Sequence, residues 1–159
     1  MIKIITTGGT IDKTYFDAKS EYAVGDPQIS DILREANVTV PYAVETLLRK
    51  DSLDLTDEDR ARIHARVAAE PAERILITHG TDTMVDTARV LRDVSGKTIV
   101  LVGSLSPARF KRSDAEFNIG FAMAAVQALP PGVYIAMNGR ILTPDHARKN
   151  REQNRFEEV

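Results

Sequence analysis

The 159-residue chain predicts an α/β fold: a mostly parallel sheet flanked by helices, in a Rossmann-like three-layer sandwich. Short apolar runs alternate with segments of helical period along most of its length, the pattern left by strand–helix units. The runs Ile2-Lys3-Ile4-Ile5, Arg74-Ile75-Leu76-Ile77-Thr78 and Lys97 to Val102 are nearly continuously apolar, as strands buried on both faces of a sheet are. Each leads into a small, hydroxyl-bearing loop: Thr7-Gly8-Gly9-Thr10, Gly80-Thr81-Asp82 and Gly103-Ser104. Parallel sheets bind ligands beyond the carboxyl ends of their strands, so parallel pairing would gather these loops on one edge.

The elements follow in order. After the first strand, Asp12 to Asp26 reads as a polar connection carrying Tyr15, Phe16 and Tyr22, long enough to suggest a functional lid. Pro27 opens a short helix through Ala36, with Ile29, Ile32 and Leu33 on one face. Val38 to Leu48 reads as a strand region broken by Pro41. Thr56 with Asp59 forms a capping pair for a helix over 57–69. A further helix runs from about Met84 to Asp93, and a longer one covers 113–129 with Phe117, Phe121 and Ala125 in register. Val133 to Met137 is a strand, and Asn138-Gly139 a hairpin turn before Arg140-Ile141-Leu142. The polar tail from Pro144 to Val159 reads as a surface helix.

Composition narrows the function. The 21 basic and 23 acidic side chains nearly balance, which leaves no electrostatic footprint for nucleic acid or a membrane surface. No cysteine is present, so thiol catalysis and cysteine-ligated metals are excluded. A cysteine-free chain that opens directly on a strand, without a leader or an apolar span, is expected in the cytoplasm. The three histidines, His64, His79 and His146, lack zinc-ligand spacing, and His64 and His79 read as structural.

The stretch Thr6-Thr7-Gly8-Gly9-Thr10-Ile11 reads in itself as a strand-to-loop turn with capping threonines, or as a close approach of backbone to a ligand. A threonine hydroxyl needs a base before it can attack a carbonyl. Without a histidine partner, the alternative is a lysine of lowered pKa beside an acid that orients it. Asp82 could be that acid or a simple turn residue, and Lys149 in the tail reads as a solvated charge. G-x-G-x-x-G and the P-loop lysine are both absent, which argues against a nucleotide-binding module.

Thr7-Gly8-Gly9-Thr10-Ile11 and the later His79-Gly80-Thr81-Asp82-Thr83-Met84 together resemble the two signature motifs of bacterial-type L-asparaginases. Ser20-Glu21-Tyr22 resembles the lid segment with the family's active-site tyrosine. Asp51-Ser52-Leu53-Asp54 resembles its substrate-carboxylate loop, and Asn138 to Lys149 the stretch ending in its catalytic lysine. The resemblance covers nearly the whole chain and corresponds to the larger N-terminal domain. It implies a single catalytic domain over 1–159, with the family's smaller C-terminal domain absent; either Asp54, Glu21 or a tail glutamate then replaces the acid that domain lends, or the substrate ammonium stays partly solvated.

The resemblance further implies hydrolysis of L-asparagine to L-aspartate and ammonia, without cofactor or metal, in a homo-oligomer (dimer or tetramer). Thr10 would be the nucleophile, with Tyr22 shaping its surroundings and Thr81, Asp82 and Lys149 handling the proton. The motif alone leaves Thr81 open as the acylated residue. Gly9, Ser52, Gly80, Thr81, Asp82 and Ser104 would contact substrate. Ser52 and Asp82 would hold its α-carboxylate and α-ammonium, and backbone N–H groups of the glycine turn and Thr81 its oxyanion. Leu53, Ser104 and Ser106 depart from the family's usual residues. Glutamine or another small amide is the rival substrate, and a non-catalytic amino-acid or nucleotide binder the rival class.

Overall fold

The computed structural model describes residues 1–16 and 21–159. The first strand, β1 (Ile2–Gly8), is followed by β2 (Lys13–Phe16), β3 (Glu21–Val24), α1 (Ile29–Glu35) and β4 (Tyr42–Lys50). Then come α2 (Asp57–Ala69), β5 (Arg74–Thr78), α3 (Met84–Val90), β6 (Thr98–Val102) and α4 (Ala115–Ala128). The chain closes with β7 (Gly132–Met137), β8 (Arg140–Leu142), β9 (Ala147–Asn150) and β10 (Arg155–Glu158). The main sheet has the order β4-β1-β5-β6-β7-β8, parallel throughout except for β8. Helix α1 packs beside α4, and α2 beside α3, so the sheet is flanked by helix pairs as expected.

The apolar runs are central because they are apolar on both faces. Ile4 and Ile5, Ile75 to Ile77, and Ile99 to Val102 are all fully buried. Each such side chain contributes about 1.5–3 kcal/mol relative to exposure. The register pairs Ile5 with Ile77 and Ile77 with Leu101, so β1, β5 and β6 end level with one another. Their terminal loops therefore do share one edge. Among the described residues, no helix is long and apolar enough to cross a membrane.

Helix α2 starts at the capping box read from the sequence. The Asp59 N–H donates to the Thr56 hydroxyl at 3.2 Å, and the Thr56 N–H to the Asp59 carboxylate at 3.0 Å. Lys50, the last residue of β4, donates to the same carboxylate at 2.7 Å and ties the strand end to the helix start.

Four expectations need correction. Asp12 to Asp26 is not a plain connection: β2 and β3 pair there as an antiparallel ribbon, with Tyr15 opposite Tyr22. Ser20 of the lid motif lies outside the described residues. The strand after α1 begins at Tyr42, beyond Pro41, whose carbonyl accepts the Ile2 N–H at 2.9 Å. Proline has no N–H for the ladder, so pairing starts after it.

On α4, Phe117 is 63% exposed and stacks on Phe121 outside the core. The buried stripe is Ala115, Ile119, Ala122 and Val126, smaller side chains that let the helix approach the sheet. The tail is no helix either. β9 and β10 form an antiparallel ribbon, anchored by the fully buried Phe156, whose N–H donates to the Asn138 side chain at 2.8 Å.

Candidate active site

Three loops meet at the carboxyl edge of the sheet, and glycines let them touch. Gly9 has φ +94°, in the left-handed region, and a Cβ there would lie 2.5 Å from the Gly80 Cα. A Cβ on Gly80 would in turn lie 2.5 Å from the Ser52 Cβ. The ends of β1, β5 and β4 thus stack backbone on backbone, bringing Thr10, Thr81 and Ser52 into one neighbourhood. The end of β6 closes against them: a Cβ on Gly103 would collide with the His79 carbonyl.

His79 holds this arrangement from below. Its Nδ1 lies 2.7 Å from the Gly80 carbonyl, which can only accept, so Nδ1 carries the proton and Nε2 accepts from the Thr87 hydroxyl at 2.7 Å. Complete burial is the main cause that pushes its pKa down to about 4, against the opposing Gly80 bond. A neutral imidazole with both nitrogens engaged is a structural group, as read from the sequence. His64 lies on α2, its Nε2 paired at 2.7 Å with Asp93.

Lys149 is the candidate with the most polar contacts at this edge. Strand β9 carries it back to the β5 edge, where its Nζ donates to the Thr81 hydroxyl at 2.8 Å and to the Asp82 carboxylate at 2.8 Å. Thr81 is 5% exposed, while Lys149 and Asp82 are partly open, with side chains 14% and 28% exposed. Such a constellation can move a proton to or from a reacting atom beside it. Arg151 stands at its rim, with Nε 3.6 Å from the same Asp82 oxygen.

Thr10 is half-buried and opens a short 3₁₀ turn just after Gly9. No hydrogen bond among the described residues joins it to the Lys149 cluster. The Gly9 N–H donates to the Lys50 carbonyl at 2.9 Å, so that donor is already engaged. Ser52 is buried and its hydroxyl lacks a partner among the described residues, a state that favours a ligand acceptor. Ser104 is buried as well, but its hydroxyl donates within its own loop, to the Ser106 carbonyl. Leu53 is 63% exposed and offers no polar group.

Tyr22 sits on the β2–β3 ribbon, 53% exposed, its ring 5.3 Å from Tyr15 and 5.7 Å from Phe110. No described hydrogen bond links it to Thr10. Glu21 and Asp54 are exposed, and Asp54 lines a cleft of about 330 Å³ beside the ribbon with Lys13, Tyr22 and Arg49.

Several residues around the site carried no mark in the sequence. Asp12, buried directly after the glycine turn, accepts the Gln28 N–H at 2.9 Å. Burial chiefly raises its pKa to about 7, partly offset by the Gln28 bond. Lys13 pairs with Asp51 at 2.7 Å. Burial works against the Asp51 charge, but Lys13, the Leu53 N–H and the more distant Lys149 outweigh it and lower its pKa. Adjacency to the glycine turn was the only sequence signal for Asp12 and Lys13, whereas Asp51 opens the Asp51-Ser52-Leu53-Asp54 stretch.

A family model described as "Asparaginase, N-terminal" matches residues 1–157. The chain belongs to the asparaginase family. "Probable L-asparaginase periplasmic" of Haemophilus influenzae is 31% identical over 153 residues, covering 89% of this chain and 44% of that protein. A glutaminase-asparaginase of Pseudomonas aeruginosa is 33% identical, over 93% of this chain and 45% of its own. The solved thermostable L-asparaginase from Thermococcus kodakarensis superposes with a TM-score of 0.84 at 27% identity, covering 99% of this chain and 51% of that one. The chain spans less than half the length of these two curated relatives. The glycine turn before Thr10 and the loop of Thr81 and Asp82, the two stretches that carry the sequence resemblance, are here in backbone contact.

Proposed function

We propose that this asparaginase-family chain is an amidohydrolase that converts L-asparagine to L-aspartate and ammonia through a threonine acyl-enzyme. The observation that carries the proposal is Lys149, buried at 14% side-chain exposure with its amine shared between Thr81 and Asp82. A binding module has no need of a relay of that kind at the lip of a glycine turn.

In this mechanism the Thr10 oxygen attacks the side-chain amide carbon, and the oxyanion is met by backbone N–H groups at Thr10 and Thr81. The amide nitrogen takes a proton and leaves as ammonia. Water then attacks the ester, returning the hydroxyl to Thr10 and releasing aspartate. Thr81, Lys149 and Asp82 handle the protons in both halves. Tyr22 would shape the surroundings of Thr10 from the ribbon, while Ser52 takes the substrate α-carboxylate and Asp82 its α-ammonium.

Ammonia release from L-asparagine and L-glutamine tests the proposal. Turnover of asparagine is expected, and Thr10→Val should lower it by orders of magnitude with the circular dichroism spectrum unchanged. Preference for glutamine would move the substrate to the rival amide, and binding without release would make the chain a sensor. The same proposal includes a cytoplasmic setting, suited to a cysteine-free chain though one relative is described as periplasmic. It also includes a homo-oligomer, for which the exposed Phe117 offers apolar surface and light scattering is the test.

A further inference from the structure

Asp82 is approached by two cations of very different character. Lys149 is largely buried and held by two acceptors, whereas Arg151 is 66% exposed and touches the carboxylate only loosely, through Nε at 3.6 Å. Arg151 sits on the turn between β9 and β10. The neighbouring Arg148 and Arg155 both pair with Glu157, but among the described residues the only acid that Arg151 reaches is Asp82.

A guanidinium contacted at one nitrogen keeps the rest of its donor fork available, and a planar fork suits a carboxylate better than any other side chain does. The charge spacing also fits. In an α-amino acid, the ammonium nitrogen and the nearer carboxylate oxygen lie about 3 Å apart by standard bond lengths. Asp82 and Arg151 form the opposite dipole at nearly that separation.

The polar inventory of the carboxylate subsite is otherwise thin. Ser52 supplies one buried hydroxyl, unpartnered among the described residues, against Gly80, two residues before Asp82, and Leu53 supplies no polar side-chain group. We propose that Arg151 is the specificity-determining anchor for the substrate α-carboxylate, exchanging its loose contact with Asp82 for the incoming zwitterion. The substrate ammonium takes over Asp82, and the carboxylate is gripped between Arg151 and Ser52. The proposal rests on the amidohydrolase reading and on Asp82 as the ammonium site. It restricts the substrate to compounds with a free α-carboxylate.

The test compares L-asparagine with L-asparagine amide, in which a neutral amide replaces the α-carboxylate. For L-asparagine, Arg151→Gln should raise KM about 10–100-fold, the loss falling on KM rather than on kcat. For the amide, KM should not move. Arg151→Lys should recover part of the asparagine KM, since it keeps the charge and loses the fork. An equal rise for both compounds, a loss confined to kcat, or no change would overturn the proposal. Should the wild-type chain release no ammonia, the amidohydrolase reading fails separately and calorimetric titration with L-aspartate decides on Arg151. Binding weakened 10–100-fold in Arg151→Gln would then support the anchor, and unchanged binding, or none to the wild type, would overturn it.

Discussion

Lys149 is held by two acceptors at once, and a cation so held stops behaving like a surface charge. If Thr81, Lys149 and Asp82 act as one proton-handling unit, Lys149→Met and Asp82→Asn should each lower kcat by roughly 10²–10⁴. The double variant should then be about as slow as the worse single one, because members of a unit fail together. Multiplying losses would mean separate roles. Asp12 carries a pH signature instead. Its folded pKa, about 7, exceeds the ordinary 3.8, so its protonated form is favoured by folding. That stability is full below pH 3.8 and is lost as pH rises towards 7. His79 acts with the opposite slope, losing stability as pH falls from 6.5 towards 4. Asp12→Asn keeps an acceptor for Gln28 and cannot ionise, so its melting temperature should gain on the wild type as pH rises from 4 to 7. A constant difference would show that Asp12 does not titrate in that window.

At the scale of elements, the β2–β3 ribbon is tied down at few points. Lys13 bonds Asp51 beside Ser52, the Gly25 N–H donates to the Asp12 carbonyl at 2.8 Å, and Tyr22 rests on Phe110. The Lys13–Asp51 pair is only partly exposed and contributes at most about 1 kcal/mol. Lys13→Met should therefore speed hydrogen exchange of the β2 and β3 amides while β1 and β5 stay protected. Uniform acceleration would instead mean that the pair supports the whole fold. The ribbon was hidden in the sequence because its strands are short, polar and aromatic at once. The β9–β10 ribbon was hidden likewise, its charges outweighing the single anchor Phe156. By contrast, the capping box at Thr56 and the Asn138-Gly139 turn, with φ of 54° and 70°, rest on local backbone chemistry that sequence expresses directly.

For the whole molecule, parallel order is what turns separate loops into a site. That much was legible, because the runs of β1, β5 and β6 are nearly continuously apolar and each leads into glycine and hydroxyl groups. The contribution of the tail was not legible from composition: a lysine among charged residues gives no sign that a ribbon will carry it to β5, and only the family resemblance singled out Lys149. Nor could spacing foretell Arg151 at Asp82, since that contact depends on the β9–β10 turn. The central claim is that Thr10 attacks the amide with the Lys149 cluster at its side. Peptide mapping by mass spectrometry, after acid quench during turnover of L-asparagine, tests it most directly. An aspartyl ester on Thr10, missing from Thr10→Val, is the predicted result. An ester on Thr81, or undiminished ammonia release by Thr10→Val, would contradict it.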